Sequence, residues 1–199
     1  MNGVRTLVVA SNNAHKIEEL SAILGPKWKV LSAQEVAPGL TWAETGNTFV
    51  ENARIKVRAL RQFTKLCVLA DDSGLCVDAL DGRPGVVSSS FGGVEGDHAR
   101  NNARLLRELS GVETEKRTAS FICVLVFQDQ WGRELVCEGR CDGAVASIPH
   151  GQGGFGYDPI FVVRELNCTM ASLSETAKNS ISHRGKAMAA LLEKLESEF

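Results

Sequence analysis

Long hydrophobic runs are missing from this sequence, and their absence excludes several classes of protein. Within its 199 residues, no apolar stretch approaches the roughly 20 residues that a membrane-spanning helix needs. The first five residues, MNGVR, lead into a short strand-like run and lack the apolar core of a signal peptide. We therefore expect a cytoplasmic protein that has no membrane partner.

The sequence also has no surplus of positive charge. The chain carries 22 Lys and Arg against 24 Asp and Glu, a formal net charge of −2, with neither a basic tail nor a run of Lys or Arg. Nucleic-acid binding depends on a basic surface, so we expect no nucleic-acid partner. A polyanionic ligand would have to be bound by a local group of cations.

The cysteines lack the close, regular spacing of a secreted disulfide framework. Most of them lie inside apolar runs, at positions 67, 76, 123, 137, 141 and 168. Cys137 and Cys141 could form half of a metal site, but no second Cys or His pair with suitable spacing accompanies them. Buried or free thiols are therefore the favoured interpretation.

What the sequence does contain is a succession of strand-like and helix-like segments. Short apolar, β-branched runs predict strands at 6–10, 28–33, 67–70, 75–80, 118–127, 134–141 and 160–163. Apolar residues at helical spacing predict helices at 15–24, 48–63, 97–109 and 182–199. Strands come first in βα order and later as a hairpin, which predicts an α/β fold with a mixed central sheet flanked by helices. No linker interrupts the chain, so residues 1–199 are predicted to form one domain.

Two segments place cations at the start of a predicted helix. Residues 11–16, SNNAHK, follow the first strand, and residues 182–186, SHRGK, open the last helix. A plain N-cap explains the Ser and Asn residues, but His15 and Lys16 oppose the helix macrodipole. A bound anion would remove this conflict, and the free backbone N–H groups of such a turn suit a phosphate. Tolerance of exposed cations is the alternative, most of all for Lys186.

Asp71 and Asp72 form an adjacent carboxylate pair directly after the apolar run 67–70. Asp-Ser-Gly is ordinary turn composition, which explains Asp72 and Ser73 but leaves the repulsion between the aspartates unexplained. Because successive residues leaving a strand point to opposite sides, the two carboxylates need not share a target. One of them is able to bind a hard cation such as Mg²⁺ while the other orients water or a ligand group. A functional role is therefore favoured over a simple turn.

Residues 153–159, GGFGYDP, form a glycine-rich loop with an aromatic ring at its centre. The glycines let the backbone approach a flat ligand, and Phe155 offers a stacking face. Asp158, held by Pro159, is able to accept hydrogen bonds from a base or a ribose. A structural aromatic tucked under a loop explains the same residues equally well.

Five segments of the chain stand in a characteristic order: ASNNAHKIEEL, ETGNTFVENARIK, ADDSGLCVDALDGRPG, GGFGYDPIF and AKNSISHRGKA. Together they resemble the inosine triphosphate pyrophosphatase family, the XTP/dITP pyrophosphatases. Members of this family hydrolyse ITP, dITP and XTP to the nucleoside monophosphate and pyrophosphate, and so cleanse the nucleotide pool. The resemblance implies Mg²⁺ as cofactor, a mixed α/β sheet in two lobes with the active site in the cleft between them, and a homodimer.

The resemblance also implies roles for individual residues. A phosphate loop would consist of Ser11, Asn12, Asn13, Ala14, His15 and Lys16, joined by Lys56. Mg²⁺ would be held by Glu44 and Asp72. Asp72 would also activate the attacking water, with support from Asp71. The nucleotide would be contacted by Ser73, and its base and sugar enclosed by Phe155, Gly156, Tyr157 and Asp158. The purine edge and the phosphates would be read by Lys178, His183 and Arg184.

The chain departs from the family's pattern in two places. The first position of the phosphate loop is commonly Thr and here is Ser11, which keeps the hydroxyl. Relatives carry a basic residue in a pattern like Ser-Ala-Arg-Tyr where this chain has residues 88–91, SSSF, so a phosphate or subunit contact at Ser89 and Ser90 is left open.

Two other functions are compatible with the same residues. One is a pyrophosphatase for other modified nucleotides, as in the Maf-like enzymes. The other is a nucleotide-binding module without turnover. Asp71 and Asp72 argue against the second, because a binder gains nothing from carboxylates near phosphates without a metal.

Overall fold

The structure, a computed structural model, describes residues 4–198 of the chain. Its strands are β1 (Arg5–Val9), β2 (Trp28–Ser32), β3 (Cys67–Val77), β4 (Thr118–Gln128), β5 (Glu134–Val145), β6 (Phe161–Val163) and β7 (Cys168–Thr169). Its α-helices are α1 (Ala14–Leu24), α2 (Ala33–Val36), α3 (Phe49–Arg61), α4 (His98–Glu108), α5 (Glu175–Ile181) and α6 (His183–Glu198). None of the helices in this part of the chain is long and apolar enough to cross a membrane.

The strands form one seven-stranded sheet in the order β2-β1-β3-β4-β5-β6-β7. β1 is parallel to β2 and β3, whereas β6 is antiparallel to β5 and β7. The sheet is therefore mixed, and with its flanking helices it confirms the predicted α/β fold. Val9 is level with Ser32 and with Leu69, so the residues that follow β1 and β2 meet beside the middle of β3.

The chain divides into two compact units, of which unit 1 comprises the described residues of Met1–Asp72, Cys123–Gly139 and Arg184–Phe199. Residues 7–9 of β1 and 67–70 of β3 are apolar on both faces, as expected where helices cover both sides of a parallel sheet. One face packs against α1 and α6 through Leu7, Leu20, Leu69 and Leu191, and the other against α3 through Val8, Val57 and Val68. Because side chains alternate along a strand, Asp71 follows Leu69 on the first face and Asp72 follows Val68 on the second.

Unit 2 comprises Ser73–Ile122 and Arg140–His183. Its core is a single cluster that includes Leu75, Leu105, Phe121, Ile160 and Phe161. Strand β6 pairs with β5 through Phe161 and Val145, and this pairing places the glycine-rich loop at the edge of the cluster.

Several predicted elements are confirmed and several need correction. Thr48 caps α3 in a reciprocal capping box with Glu51. The strand predicted to end at residue 70 instead continues through both aspartates to Val77, because α1, α3 and α6 supply cations that pair with the two carboxylates. The last helix begins at His183 and not at Ser182, which terminates the short helix α5 that the sequence did not predict. Helix α2 and strand β7, of four and two residues, were also not predicted.

All six cysteines are free thiols, as predicted. The prediction of one domain with two lobes stays a prediction.

Candidate active site

The loop between β1 and α1 is closed by its own side chains. Oδ1 of Asn13 caps α1 by accepting from the backbone N–H of Lys16 at 3.3 Å. The buried Ser11 hydroxyl accepts from the N–H of Asn13 at 3.1 Å. Asn12, Ala14 and His15 are exposed. The loop therefore presents its short polar residues outward from a rigid base, which suits the predicted phosphate contact.

Asp71 is the most completely buried carboxylate of unit 1, and it is surrounded by donors. Its Oδ1 accepts from Nζ of Lys16 at 2.6 Å, and its Oδ2 accepts from Nε of Arg184 at 2.7 Å. The thiol of Cys123 donates to the same Oδ2 at 3.3 Å. Burial alone would raise the pKa of Asp71, but Arg184 and Lys16 hold it well below its ordinary value. The carboxylate is therefore ionised and fixes two of the predicted phosphate-binding cations.

Arg184 is held by a second carboxylate that the sequence did not reveal. Its Nη1 donates to Oε2 of the buried Glu19 on α1 at 2.5 Å. Burial would lower the pKa of the guanidinium, but Asp71 and Glu19 raise it above its ordinary value. The positive charge of Arg184 at the start of α6 opposes the helix dipole, and carboxylates of the protein balance this charge. Its role as a reader of the purine edge stays a prediction.

Asp72, on the other face of β3, shares the ammonium of Lys56 with Glu44. Nζ of Lys56 lies 2.7 Å from Oδ1 of Asp72 and 3.0 Å from Oε2 of Glu44. Lys56 reaches the strand because it lies on the buried face of α3, between Ala53 and Leu60. Burial would lower the pKa of Lys56, but Asp72 and Glu44 raise it above its ordinary value. A charged lysine therefore bridges the two predicted metal ligands.

The remaining oxygen of Asp72 fits a cation. Oδ2 is buried and has no hydrogen-bond partner among residues 4–198. Burial raises the pKa of Asp72 to about 6 in spite of Lys56, and the neighbouring Glu44 carboxylate also raises it. Burial has the same effect on Glu44, but Lys56, the side-chain contact with Asp72 and Lys16 outweigh it and bring the pKa of Glu44 below its ordinary value. Two adjacent carboxylates, one with an unsatisfied oxygen, are ligands that Mg²⁺ prefers.

The described residues contain no group of three or more His, Cys, Asp or Glu side chains that could hold a metal ion. Mg²⁺ is usually bound by one or two protein carboxylates together with water and phosphate oxygens. Glu44, with a side chain that is 39% exposed, lies on the accessible side of the pair.

In unit 2 the glycine-rich loop is organised around the buried carboxylate of Asp158. Its Oδ2 accepts from the backbone N–H of Phe155 at 2.8 Å and from Nζ of Lys178 at 2.7 Å. A methyl group on Gly154 would overlap this carboxylate, and Gly154 has a φ of +70°. Asp158 was predicted to accept hydrogen bonds from the base or the sugar. In the structure it shapes the loop, and contact with a nucleotide stays a prediction.

The ring of Phe155 lies between polar groups of two helices. Nζ of Lys178 on α5 is 4.7 Å from the ring centroid, and the ring of His98 on α4 is 6.2 Å away. Asn102, also on α4, donates to the carbonyl oxygen of Gly156 at 3.1 Å. The ring is therefore partly exposed in a loop that is fixed from several sides, and stacking on a base stays a prediction.

Three more predicted site residues have defined positions. The ring of His183 stacks on that of Phe121, with centroids 4.7 Å apart and planes inclined by 10°. Tyr157 is buried, and its hydroxyl donates to the carbonyl of Ser88 at 2.8 Å, so it braces the loop. Ser73 is half-buried in β3, directly after Asp72.

The segment without the family's basic residue receives a basic side chain from elsewhere. Arg104 of α4 places its guanidinium 4.4 Å from the centroid of the Phe91 ring and donates to the carbonyl of the same residue. Arg104 also pairs with Glu108 at 2.8 Å. Ser89 and Ser90, where the family's basic residue is absent, thus precede a residue that contacts the guanidinium of Arg104. No sequence pattern pointed to Arg104.

Sequence reasoning missed Glu19, Cys123 and Phe121 as neighbours of the predicted residues. Nothing in the helix pattern separates the buried Glu19 from the exposed Glu18. Lys56 did carry a signal beyond the resemblance, since it lies in the apolar stripe of α3.

The chain is similar to known proteins over nearly its whole length. The family model of the Ham1 family matches residues 7–194. The dITP/XTP pyrophosphatase of Geobacillus kaustophilus is 46% identical over 194 residues, which cover 97% of this chain and 95% of that protein. The dITP/XTP pyrophosphatase of Desulforamulus reducens is 48% identical over 189 residues, 94% of each chain. The structure of the Staphylococcus aureus Ham1 protein superposes with a TM-score of 0.87 at 39% identity, covering 98% of this chain and 100% of that one. The resemblance found in the sequence is therefore confirmed, and the chain belongs to the Ham1 family.

Proposed function

We propose that this protein hydrolyses deaminated purine nucleoside triphosphates, namely ITP, dITP and XTP, to the nucleoside monophosphate and pyrophosphate. The curated relatives named above are dITP/XTP pyrophosphatases. One observation carries the proposal: the unsatisfied Oδ2 of Asp72 lies next to Glu44 in the unit that also contains the predicted phosphate loop. Removal of such triphosphates cleanses the nucleotide pool from which DNA and RNA are made.

Mg²⁺ is the proposed cofactor, held by Glu44 and Asp72. When bound, the ion would neutralise charge on the phosphates and make the phosphorus a better electrophile. The protein's contribution is to hold two carboxylates near one another, which Lys56 does through its contacts of 2.7 and 3.0 Å. Backbone N–H groups at the start of α1 and the ammonium of Lys16 would bind the phosphate oxygens.

Asp72 is also the proposed base that takes the proton of the attacking water. In the metal-free protein burial raises its pKa to about 6, nearer to neutrality than that of an ordinary aspartate. Asp71 plays a different part, because its oxygens are occupied by Lys16 and Arg184. We propose that it positions these two cations and does not touch the water.

Unit 2 is proposed to bind the base. Phe155 would stack on the purine, and the side chains of Lys178 and His183 would donate to the carbonyl oxygen at its 6-position. Adenine carries an amino group there, which would leave these donors unpaired. Sites that depend on such hydrogen bonds reject the wrong partner by about 10⁴-fold or more.

A nucleotide panel tests the proposal. The purified protein is incubated with ITP, dITP, XTP, ATP, GTP and a modified pyrimidine triphosphate, with and without Mg²⁺, and the products are identified. We expect pyrophosphate from ITP, dITP and XTP far faster than from ATP, and only with the metal. Release of orthophosphate, or no turnover of any triphosphate, would contradict the proposal, and a preference for the pyrimidine would favour the Maf-like alternative.

The substitution Asp72→Asn tests the assigned residue. It keeps the shape of the side chain but removes the charge, so we expect kcat for ITP to fall by about 10³-fold or more. The fold should be retained in circular dichroism spectra, because Glu44 at 3.0 Å still pairs with Lys56. The matched control is Asp142→Asn in unit 2, whose carboxylate is 41% exposed and should leave kcat within twofold. Unchanged turnover by Asp72→Asn would refute its role.

A homodimer in the cytoplasm is proposed as well, on the family resemblance alone. Sedimentation or light scattering at micromolar concentration measures the oligomeric state, and a monomeric active enzyme would contradict the dimer.

A further inference from the structure

Gln34 lies next to the predicted phosphate loop, although no sequence pattern points to it. It belongs to α2, two residues after the end of β2, and Asn12 lies three residues after the end of β1. Because the two strands are parallel with Val9 level with Ser32, these two residues reach the same edge of the sheet. There Nε2 of Gln34 donates to Oδ1 of Asn12 at 3.0 Å.

The orientation of both amides is fixed by main-chain groups. The N–H of Gly39 is a donor, and it donates to Oε1 of Gln34 at 2.8 Å. The carbonyl oxygen of Leu40 is an acceptor, and it accepts from Nε2 of Gln34 at 3.2 Å. The oxygen and nitrogen ends of Gln34 are therefore determined, so Asn12 must turn its own oxygen towards Nε2. Its Nδ2 amino group consequently points away from Gln34.

We propose that Gln34 is a positioning residue that holds the amide of Asn12 with its amino group directed at a phosphate oxygen of the substrate. The inference rests on the proposed function of this loop and adds a determinant of phosphate affinity to it. Both residues are exposed, so a ligand is able to reach the amide. Without Gln34 the amide could rotate by half a turn and present its oxygen, which repels a phosphate.

The ion pairing of the neighbouring cations makes the amide donor of Asn12 important for phosphate binding. Lys16, Lys56 and Arg184, the other groups of unit 1 predicted to bind phosphate through a charge, are each paired with a carboxylate. A neutral donor does not have to break an ion pair with a carboxylate before it binds a phosphate oxygen. Such donors are therefore a direct source of hydrogen bonds. The amino group of a correctly turned Asn12 is such a donor.

A double-mutant cycle of Gln34→Glu and Asn12→Ala tests the proposal. Glutamate keeps the size of the side chain but presents only acceptors, so the amide of Asn12 must turn its amino group inward to pair with it. The probe is inorganic pyrophosphate with Mg²⁺, titrated by calorimetry, because its binding does not depend on turnover. Hydrolysis of ITP is measured in parallel. A protein that binds pyrophosphate but does not hydrolyse ITP would contradict the proposed function without contradicting the role of Gln34.

We expect Gln34→Glu to raise the Kd for pyrophosphate about tenfold in the Asn12 background, the loss of one hydrogen bond to a charged group. In the Asn12→Ala background it should raise Kd by about twofold or less, which isolates the added charge from the turned amide. For ITP, KM should rise with kcat unchanged, because the contact is uniform binding. Equal factors in the two backgrounds, no effect in the first, or no binding of pyrophosphate by the unsubstituted protein would overturn the proposal.

Discussion

Replacing Asp71 by asparagine is expected to destabilise unit 1 by about 3–5 kcal/mol, the usual loss when one partner of a buried ion pair is removed. Asp71 is only 1% exposed, and its two oxygens accept from Lys16 at 2.6 Å, Arg184 at 2.7 Å and Cys123 at 3.3 Å. Asparagine keeps one acceptor and turns an amino group towards one of the two cations. That cation then faces a donor in a place that water does not reach.

Urea denaturation followed by tryptophan fluorescence measures this loss. All three tryptophans, Trp28, Trp42 and Trp131, belong to unit 1, so the signal reports on the unit that contains the substitution. With a urea dependence of about 2 kcal/mol per molar, the midpoint should fall by about 2 M. The matched control is Glu18→Gln on α1, whose side chain is 71% exposed and should change the free energy of unfolding by about 0.5 kcal/mol or less.

The pH dependence of the difference gives a second test. The pKa of Asp71 in the folded protein lies well below its ordinary value, since Arg184 and Lys16 outweigh burial. A depressed pKa contributes stability that is complete above the unfolded value, near 3.9, and is lost as the pH falls through the folded value. The gap between the unsubstituted protein and Asp71→Asn should therefore be constant from pH 7 to about pH 5 and shrink below about pH 4. A loss under about 1 kcal/mol at pH 7, or a gap that widens towards low pH, would refute this account of the carboxylate.

Three further results follow from the described contacts. The Mg²⁺ concentration for half-maximal activity should rise as the pH falls below 6. Burial raises the pKa of Asp72 to about 6, so at lower pH the metal must displace a proton from this carboxyl group. A Mg²⁺ titration at pH 5, 6, 7 and 8 measures this dependence. Gly154→Ala should raise KM for ITP more than Gly156→Ala in steady-state assays, because both glycines have positive φ but only the first methyl meets the Asp158 carboxylate, and equal effects would argue against the clash. Asp158→Asn should raise KM for ITP about tenfold with little change in kcat, since it removes the anion that holds Lys178 beside the base platform. A lower kcat at unchanged KM would instead place Asp158 in the chemical step.

The course of β3 shows where sequence reasoning succeeds and where it stops. Period-two alternation correctly predicted that Asp71 and Asp72 point to opposite sides. Turn composition wrongly predicted a break between residues 70 and 75, where the strand continues. The cations that make a continuous strand possible lie 55, 16 and 113 residues away, in Lys16, Lys56 and Arg184, and no local pattern contains them.

The helix starts show the same limit. Cations in the first turns of α1 and α6 predicted a bound anion such as phosphate, and that ligand stays a prediction. The anions that the structure provides are carboxylates of the protein, Asp71 for Lys16 and both Asp71 and Glu19 for Arg184. An unfavourable local charge predicts that a partner exists, but the fold decides whether the partner is a ligand or another part of the chain.

The balance of charge in unit 1 explains why a divalent cation belongs to the proposed reaction. The three cations of this unit that are predicted to bind phosphate are outnumbered by the carboxylates that contact them. The cations are Lys16, Lys56 and Arg184, and the carboxylates are Glu19, Glu44, Asp71 and Asp72. The whole chain has a formal net charge of −2. A triphosphate therefore meets no surplus of positive charge from these residues, and paired lysines cannot supply one without leaving a buried carboxylate alone. The unsatisfied oxygen of Asp72 is the place where added positive charge would be stabilised by the protein and shared with phosphate oxygens.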